Sequence, residues 1–194
     1  MCGRYYVDDW TEKEVRRLAE GIDEGFSVGS GDVHPQEQAC VLYGQGRLLR
    51  AGRMRWGFPS VRSDQLLINA RAESALQKPM FSESVLKRRC VIPAAGFYEW
   101  DHDRNKVRFI REGEPCLFLA GFYNLFDAEQ RCIILTTQAN ESMQPVHDRM
   151  PLILPEDRIR RWIADPGYAI GCLEGGSMQL SAVRSYEQLS LPLE

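Results

Sequence analysis

No run of about 18 consecutive apolar residues occurs in the 194-residue chain, so no membrane-spanning helix is expected. The first residues include a charge by position 4 and no apolar leader stretch, which makes the cytosol the expected compartment. Histidine is scarce, with three residues, and the six cysteines include no C-x-x-C pair, so neither a zinc cluster nor another metal site is expected. A disulfide framework is not expected without a secretory signal. A net charge of −3 excludes a protein that coats nucleic acid by bulk charge alone. Internal repeats, low-complexity tracts and linkers are also missing, so residues 1–194 read as one domain.

What is present is an ordinary globular composition, 44% hydrophobic and 26% charged. Cys90, Cys116 and Cys132 sit in the apolar runs "RRCVIP", "EPCLFLAGF" and "QRCIILTT" and read as buried thiols. Positive charge is bunched in "GRMRWG", "LKRRC" and "RIRRW", so an anionic partner would have to meet a patch. Thr11 followed by Glu14 forms a capping-box pattern ahead of Val15, Leu18 and Ile22, which predicts a helix over 12–20. "ACVLY" and "RLLRAG" flank Gly44-Gln45-Gly46 as a hairpin, and "PMFSESVLKRR" has helical spacing at Phe81, Val85 and Leu86. Four apolar or aromatic runs follow, "CVIPAAGFYEW", "KVRFI", "CLFLAGFYNLF" and "RCIILTT", separated by turn-like segments. "PEDRIRRWIADP" has a proline start and an Asp-Pro stop, which predicts a late helix. The fold class expected is α+β: a β-rich core of curled, mainly antiparallel, barrel-like sheet flanked by a few helices.

Chemistry-bearing residues concentrate in Cys2-Gly3-Arg4, "RMRWGF", "INARAES", "GFYEW" and "PVHDRMP". Removal of Met1 would leave Cys2 with an α-amine and a thiol on neighbouring carbons. Glu99 interrupts an aromatic strand: strand alternation can turn it to solvent, or inward, where desolvation would raise its pKa toward neutrality. His147 lies in a loop between two prolines, and Asn69 ends a strand-like run, where its amide can cap a turn or orient a substrate.

Taken in order, Met1-Cys2-Gly3-Arg4, Arg55-Trp56-Gly57, Asn69-Ala70-Arg71-Ala72-Glu73, Gly96-Phe97-Tyr98-Glu99-Trp100 and Val146-His147-Asp148-Arg149-Met150-Pro151 resemble the SOS response-associated peptidase (SRAP) family, whose members process abasic sites in single-stranded DNA. The resemblance implies an abasic-site processing protein of the DNA damage response. Cys2 would be its crosslinking nucleophile, closing a thiazolidine on the opened sugar once Met1 is gone. Glu99 would shuttle protons, His147 would be a second acid/base group, and Asn69 would position the N-terminus and sugar. It implies DNA contacts by Gly3, Arg4, Arg71 and Arg149, a stacking or wedging role for Trp56, and a weaker contact by Thr136. The expected partner is single-stranded DNA carrying abasic sites, with no cofactor, no membrane, and a monomeric chain acting on damaged DNA.

Two departures fall outside these motifs. Val33-His34-Pro35-Gln36-Glu37 stands where the family often has Pro-Thr-Gln, and Val183-Arg184 where Val-Asn is common. Two other readings stand beside the first: a thiol peptidase or autopeptidase using Cys2 and His147, which would also account for removal of Met1, and a non-covalent reader of single-stranded or modified DNA.

Overall fold

The computed structural model describes residues 2–60 and 65–184. The first half of the chain runs β1 (Tyr5–Val7), α1 (Asp9–Leu18), β2 (Gly21–Ile22), β3 (Gly31–Val33), β4 (Gln38–Gln45), β5 (Leu48–Trp56), β6 (Phe58–Pro59), β7 (Leu66–Leu67) and β8 (Asn69–Arg71). Then come α2 (Ala72–Ala75), α3 (Pro79–Lys87), β9 (Arg89–Ala94), β10 (Gly96–Trp100), β11 (Lys106–Ile110) and β12 (Leu117–Phe126). The chain continues through β13 (Glu129–Gln138), β14 (Arg149–Pro151), a 3-10 turn, α4 (Ile159–Ala164), α5 (Pro166–Glu174) and β15 (Ser181–Arg184).

The core is a closed barrel. β13, β12, β9, β4 and β5 pair antiparallel in that order, and a parallel pairing of β13 with β5 (Arg131 opposite Arg55, Cys132 opposite Trp56) closes the ring. Closure leaves these strands with almost no free edge. A second sheet, ordered β15-β11-β10-β1-β3, lies beside the barrel. The run "CVIPAAGFYEW" passes from one sheet to the other: β9 belongs to the barrel, and β10 to the second sheet. The curled, barrel-like β core and flanking helices anticipated from the strand rhythm are thus the observed architecture. Among the described residues no helix is long and apolar enough to cross a membrane.

Boundaries differ from expectation where local chemistry offered two choices. The first helix begins at Asp9, because Asp8 is the cap: its Oδ1 accepts the Thr11 amide at 2.8 Å, and Thr11 Oγ1 accepts the Asp8 amide at 3.3 Å. Thr11 is fully buried and so serves as the third residue of that box. The hairpin turns at Gly46-Arg47, with Gly46 at φ +62°. In α3, Phe81 and Val85 face the core but Leu86 is exposed. The late helix is a 3-10 turn plus α4, and its Asp-Pro stop starts another helix: Asp165 caps α5 by accepting the Tyr168 amide at 3.0 Å, with Pro166 as the first residue.

The helices are tied to the barrel by a buried cation. Arg89 opens β9 and donates Nε to Trp162 O at 2.5 Å and Nη2 to Ile163 O at 2.7 Å. Its Nη1 donates to Val85 O at 3.0 Å and also to Leu86 O. One guanidinium thus satisfies the last carbonyls of both α3 and α4, where the helix dipoles favour positive charge. Replacing Arg89 with Leu strands these carbonyls in the interior and should cost about 3 kcal/mol or more of unfolding free energy, measured by urea denaturation; a loss below about 1 kcal/mol would contradict this account.

Cys2, Cys40, Cys90, Cys116 and Cys132 are all buried, and burial is the first cause pushing each thiol up. Thiols raised in the folded chain stay protonated while those of the unfolded chain ionise near about 8.5. Their contribution is therefore complete below that value and lost as pH rises through it. Urea midpoints should fall between pH 8 and pH 10; a flat profile would mean the thiols ionise equally in both states.

Candidate active site

β1 pairs with β10 and with β3, with Tyr5 opposite Phe97. The amides of Tyr98 and Ala95 donate to Arg4 O at 3.0 Å and Tyr6 O at 2.9 Å. These bonds hold residues 2–4 against the strand that carries Glu99. Along β10 the side chains alternate: Phe97 and Glu99 are buried, whereas Tyr98 is half-buried and Trp100 is 37% exposed. Glu99 is therefore turned inward, only 4% exposed.

Cys2 is likewise buried, at 1% exposure, and its Sγ lies 3.8 Å from Arg4 O. Burial first, and the neighbouring Glu99 carboxylate second, push its thiol well above the ordinary range. The thiol is accordingly neutral at physiological pH, within electrostatic reach of the Glu99 carboxylate.

Asn69 arrives from another part of the fold. β8 runs parallel to β13, with Ile134 opposite Asn69 and Thr136 opposite Arg71, and it sits on the same strand that closes the barrel against β5. There Asn69 Nδ2 donates to Cys2 O at 3.0 Å. Its Oδ1 is a buried acceptor with no hydrogen bond among the described residues. Cys2, Asn69 and Glu99 thus converge from three separate segments.

His147 lies on the loop entering β14, half-buried, and its amide donates to Met143 O at 3.0 Å. Nδ1 accepts the Arg149 amide at 2.9 Å, which puts the proton of the neutral ring on Nε2. The exposed Asp148 carboxylate is 2.9 Å from the same Nδ1 and becomes its partner only when that nitrogen carries a proton. His147 borders a cleft of about 480 Å³ that Trp100, Gln138 and Gln144 also line.

Three of the residues expected at the DNA lie inside the protein in this structure. Trp56 is fully buried: its ring centroid is 5.2 Å from that of Tyr5, and its Nε1 donates to Ile68 O at 3.0 Å, so it presents no face to a base. Thr136 is fully buried in β13, with Oγ1 3.5 Å from Ala70 O. Arg149, 6% exposed, forks onto Glu73 with two bonds of 2.9 Å and donates to Thr136 O at 2.7 Å. Burial would raise Glu73, but the Arg149 hydrogen bonds hold it below its ordinary value. The fork ties α2 and β13 to the loop of His147.

The remaining expected contacts are accessible. Arg71 is exposed, Gly3 is half-buried, and Arg4 is half-buried with its guanidinium 5.3 Å over the Trp100 ring and 3.6 Å from Asp32. Sequence reasoning passed over Trp100, although the same alternation that turns Glu99 inward must turn Trp100 outward. It also passed over Glu73, quoted within the Asn69 motif yet not matched with Arg149. Of the departures, Gln36 forms a left-handed turn (φ +75°) whose carbonyl accepts Arg55 Nη1 at 2.7 Å, and Arg184 pairs with Asp101 at 2.9 Å at a sheet edge. Met1 lies outside the described residues. Among those residues no cluster of His, Cys, Asp and Glu suited to a metal ion is found.

Comparison with known proteins agrees with this geometry. The family model described as "SOS response associated peptidase (SRAP)" matches residues 1–172. The chain is 33% identical over 181 residues to the abasic site processing protein YoaM of Bacillus subtilis, covering 84% of this chain and 79% of the relative. It is 28% identical over 177 residues to the abasic site processing protein YedK of Escherichia coli, with the same two coverages. A crystal structure of a protein from Bacteroides thetaiotaomicron superposes with a TM-score of 0.80 at 20% identity, covering 96% of this chain and 93% of that one. With a family model spanning most of its length and its fold shared, the chain belongs to the SRAP family.

Proposed function

We propose that this protein processes abasic sites in single-stranded DNA by covalent capture on Cys2, exposed as the first residue when Met1 is removed. The observation that carries this reading is the convergence on Cys2 itself: Asn69 Nδ2 holds its carbonyl at 3.0 Å, and the buried Glu99 carboxylate acts electrostatically on its thiol. The name borne by relatives such as YoaM and YedK, abasic site processing protein, supports the same substrate.

An abasic deoxyribose opens to an aldehyde. The unprotonated α-amine, with a reference pKa of about 7.7–8.0, attacks it, and loss of one water leaves an imine. The neighbouring thiol then adds across the C=N bond: sulfur bonds to carbon, the thiol proton passes to nitrogen, and a five-membered thiazolidine closes. That second attack is intramolecular and gains from proximity. Because the Cys2 thiol is held neutral, its addition needs a group to take up and return the proton, a role we assign to the buried Glu99. Asn69 fixes the direction of the amine by holding the carbonyl of the same residue. His147, with its proton on Nε2, supplies a second acid/base group at the cleft mouth, and Arg4 and Arg71 supply positive charge for flanking phosphates.

A thiol peptidase would need Cys2 as a thiolate paired with His147. The burial of Cys2 and the engagement of His147 Nδ1 by a backbone amide both favour the crosslinking reading.

Incubated with single-stranded DNA bearing one abasic site, the mature protein should give a shifted band on a denaturing gel that Cys2→Ala abolishes; a band surviving that change would sink the proposal. Glu99→Gln should slow band formation by about 10²-fold with little change in DNA binding, and parallel losses of both would make Glu99 structural. The arginines should separate by salt dependence. Arg71→Gln should reduce the slope of log K against log[salt] by about 0.7, as expected for one phosphate contact on a single strand. Arg149→Gln should leave that slope unchanged while lowering thermal stability and crosslinking rate, and a reduced slope for Arg149→Gln would return it to the DNA surface.

A further inference from the structure

We propose that the outer face of the second sheet is a track for single-stranded DNA leading away from the Cys2 site; the inference rests on the reading that this site holds a DNA lesion. The same alternation that buries Phe97, Glu99, Val107, Phe109, Tyr5 and Val7 puts Tyr98, Trp100, Lys106, Arg108, Arg4 and Tyr6 on the opposite side. Register sets them in rows: Trp100 is opposite Lys106, Tyr98 is opposite Arg108, and Tyr6 is opposite Gly96.

Each ring on this face carries a cation. Arg4 lies 5.3 Å over Trp100, Lys106 lies 3.6 Å over Tyr98, and Arg108 lies 5.9 Å over Tyr6. Tyr6 and Tyr98 adjoin, with centroids 5.3 Å apart and planes tilted by 33°. Gly96 makes room for this: a Cβ there would stand 2.7 Å from the Tyr6 ring, so only glycine lets the ring lie down on the sheet. Beyond Tyr6 an opening of about 430 Å³ leads to Trp10, which is 59% exposed with Lys13 4.1 Å over its ring.

Rings interleaved with arginine and lysine on an open sheet are the composition that binds single strands without sequence preference. Bases stack on the rings, and the cations displaced from the ring faces meet phosphates. Same-face residues two apart on a strand recur every ~6.6–6.8 Å, so the rows offer regularly spaced contacts to an extended strand. The acidic groups on this path are Asp32, 3.6 Å from Arg4 and 3.7 Å from Lys106, and Asp8 and Glu114 at the opening. They hold the cations in place without DNA and keep binding moderate and salt-sensitive. Continuity decides the occupant: the track starts at Arg4, two residues from Cys2, and at Trp100, which also lines the cleft of His147, so the strand carrying the lesion is what reaches it.

The test compares wild type with a Tyr6→Leu/Lys106→Gln/Arg108→Gln variant, whose changes all lie on the exposed face and whose folding is checked by its melting temperature. Fluorescence anisotropy is measured on lesion-free strands of about five and about twenty nucleotides, and covalent yield on a five-nucleotide strand with one abasic site. Wild type should bind the long strand much more tightly than the short one. The variant should lose about tenfold or more of that gain and about 1.4 of the salt slope, with covalent yield on the short strand unchanged. Long-strand binding at the wild-type level would overturn the track, as would an equal loss of short-strand crosslinking in the folded variant. If wild type forms no crosslink at all, the reading of Cys2 fails, and the length dependence still decides whether this face binds DNA.

Discussion

One edge of β13 organises the molecule. Its first residues pair in parallel with β5 and close the barrel, and its next residues pair in parallel with β8. Without the first pairing the core would have an open edge. Without the second, Asn69 would have no fixed position relative to Cys2. Closure and site assembly therefore use the same strand, and the fork of Arg149 on Glu73 and Thr136 O fastens the His147 loop to that strand as well.

The second sheet does the complementary work. The chain leaves the barrel at Ala94 and enters β10, so a carboxylate strand lies beside the N-terminal strand instead of within the barrel wall. Backbone pairing with β1 sets Cys2 near Glu99, and strand alternation decides which side chains face inward. One face of the sheet buries Glu99 in the interior, and the other carries aromatic rings and cations toward solvent. On a mildly acidic protein, this division concentrates positive charge on one face.

Much of this could be read from residues. The strand rhythm and apolar runs announced a curled β core, since a continuous run such as Cys132-Ile133-Ile134-Leu135 suits a strand buried on both faces. Glu99 stood out as a carboxylate within an aromatic strand, whereas Cys2, Asn69 and His147 drew their roles from the ordered set of motifs in which they stand. What the residues leave open is which way a side chain faces. Trp56 and Arg149 lie in the same motifs as accessible residues, and a guanidinium fork suits a phosphate as well as a carboxylate. Only the fold reveals that Glu73 had already claimed Arg149. The start of α1 shows the same limit at small scale: Asp8/Thr11 and Thr11/Glu14 are equally good boxes by spacing, and the burial of Thr11 selects the first.

The central claim is that the α-amine and thiol of one residue, Cys2, together capture the lesion. Intact mass spectrometry of the adduct with an abasic oligonucleotide, followed by mapping of the linked peptide, tests it most directly. The account predicts the mass of the chain without Met1 plus the oligonucleotide minus one water, with the link at Cys2 and resistant to borohydride, as expected once the imine has closed to a thiazolidine. An adduct that retains Met1, or one linked through a lysine, would contradict it.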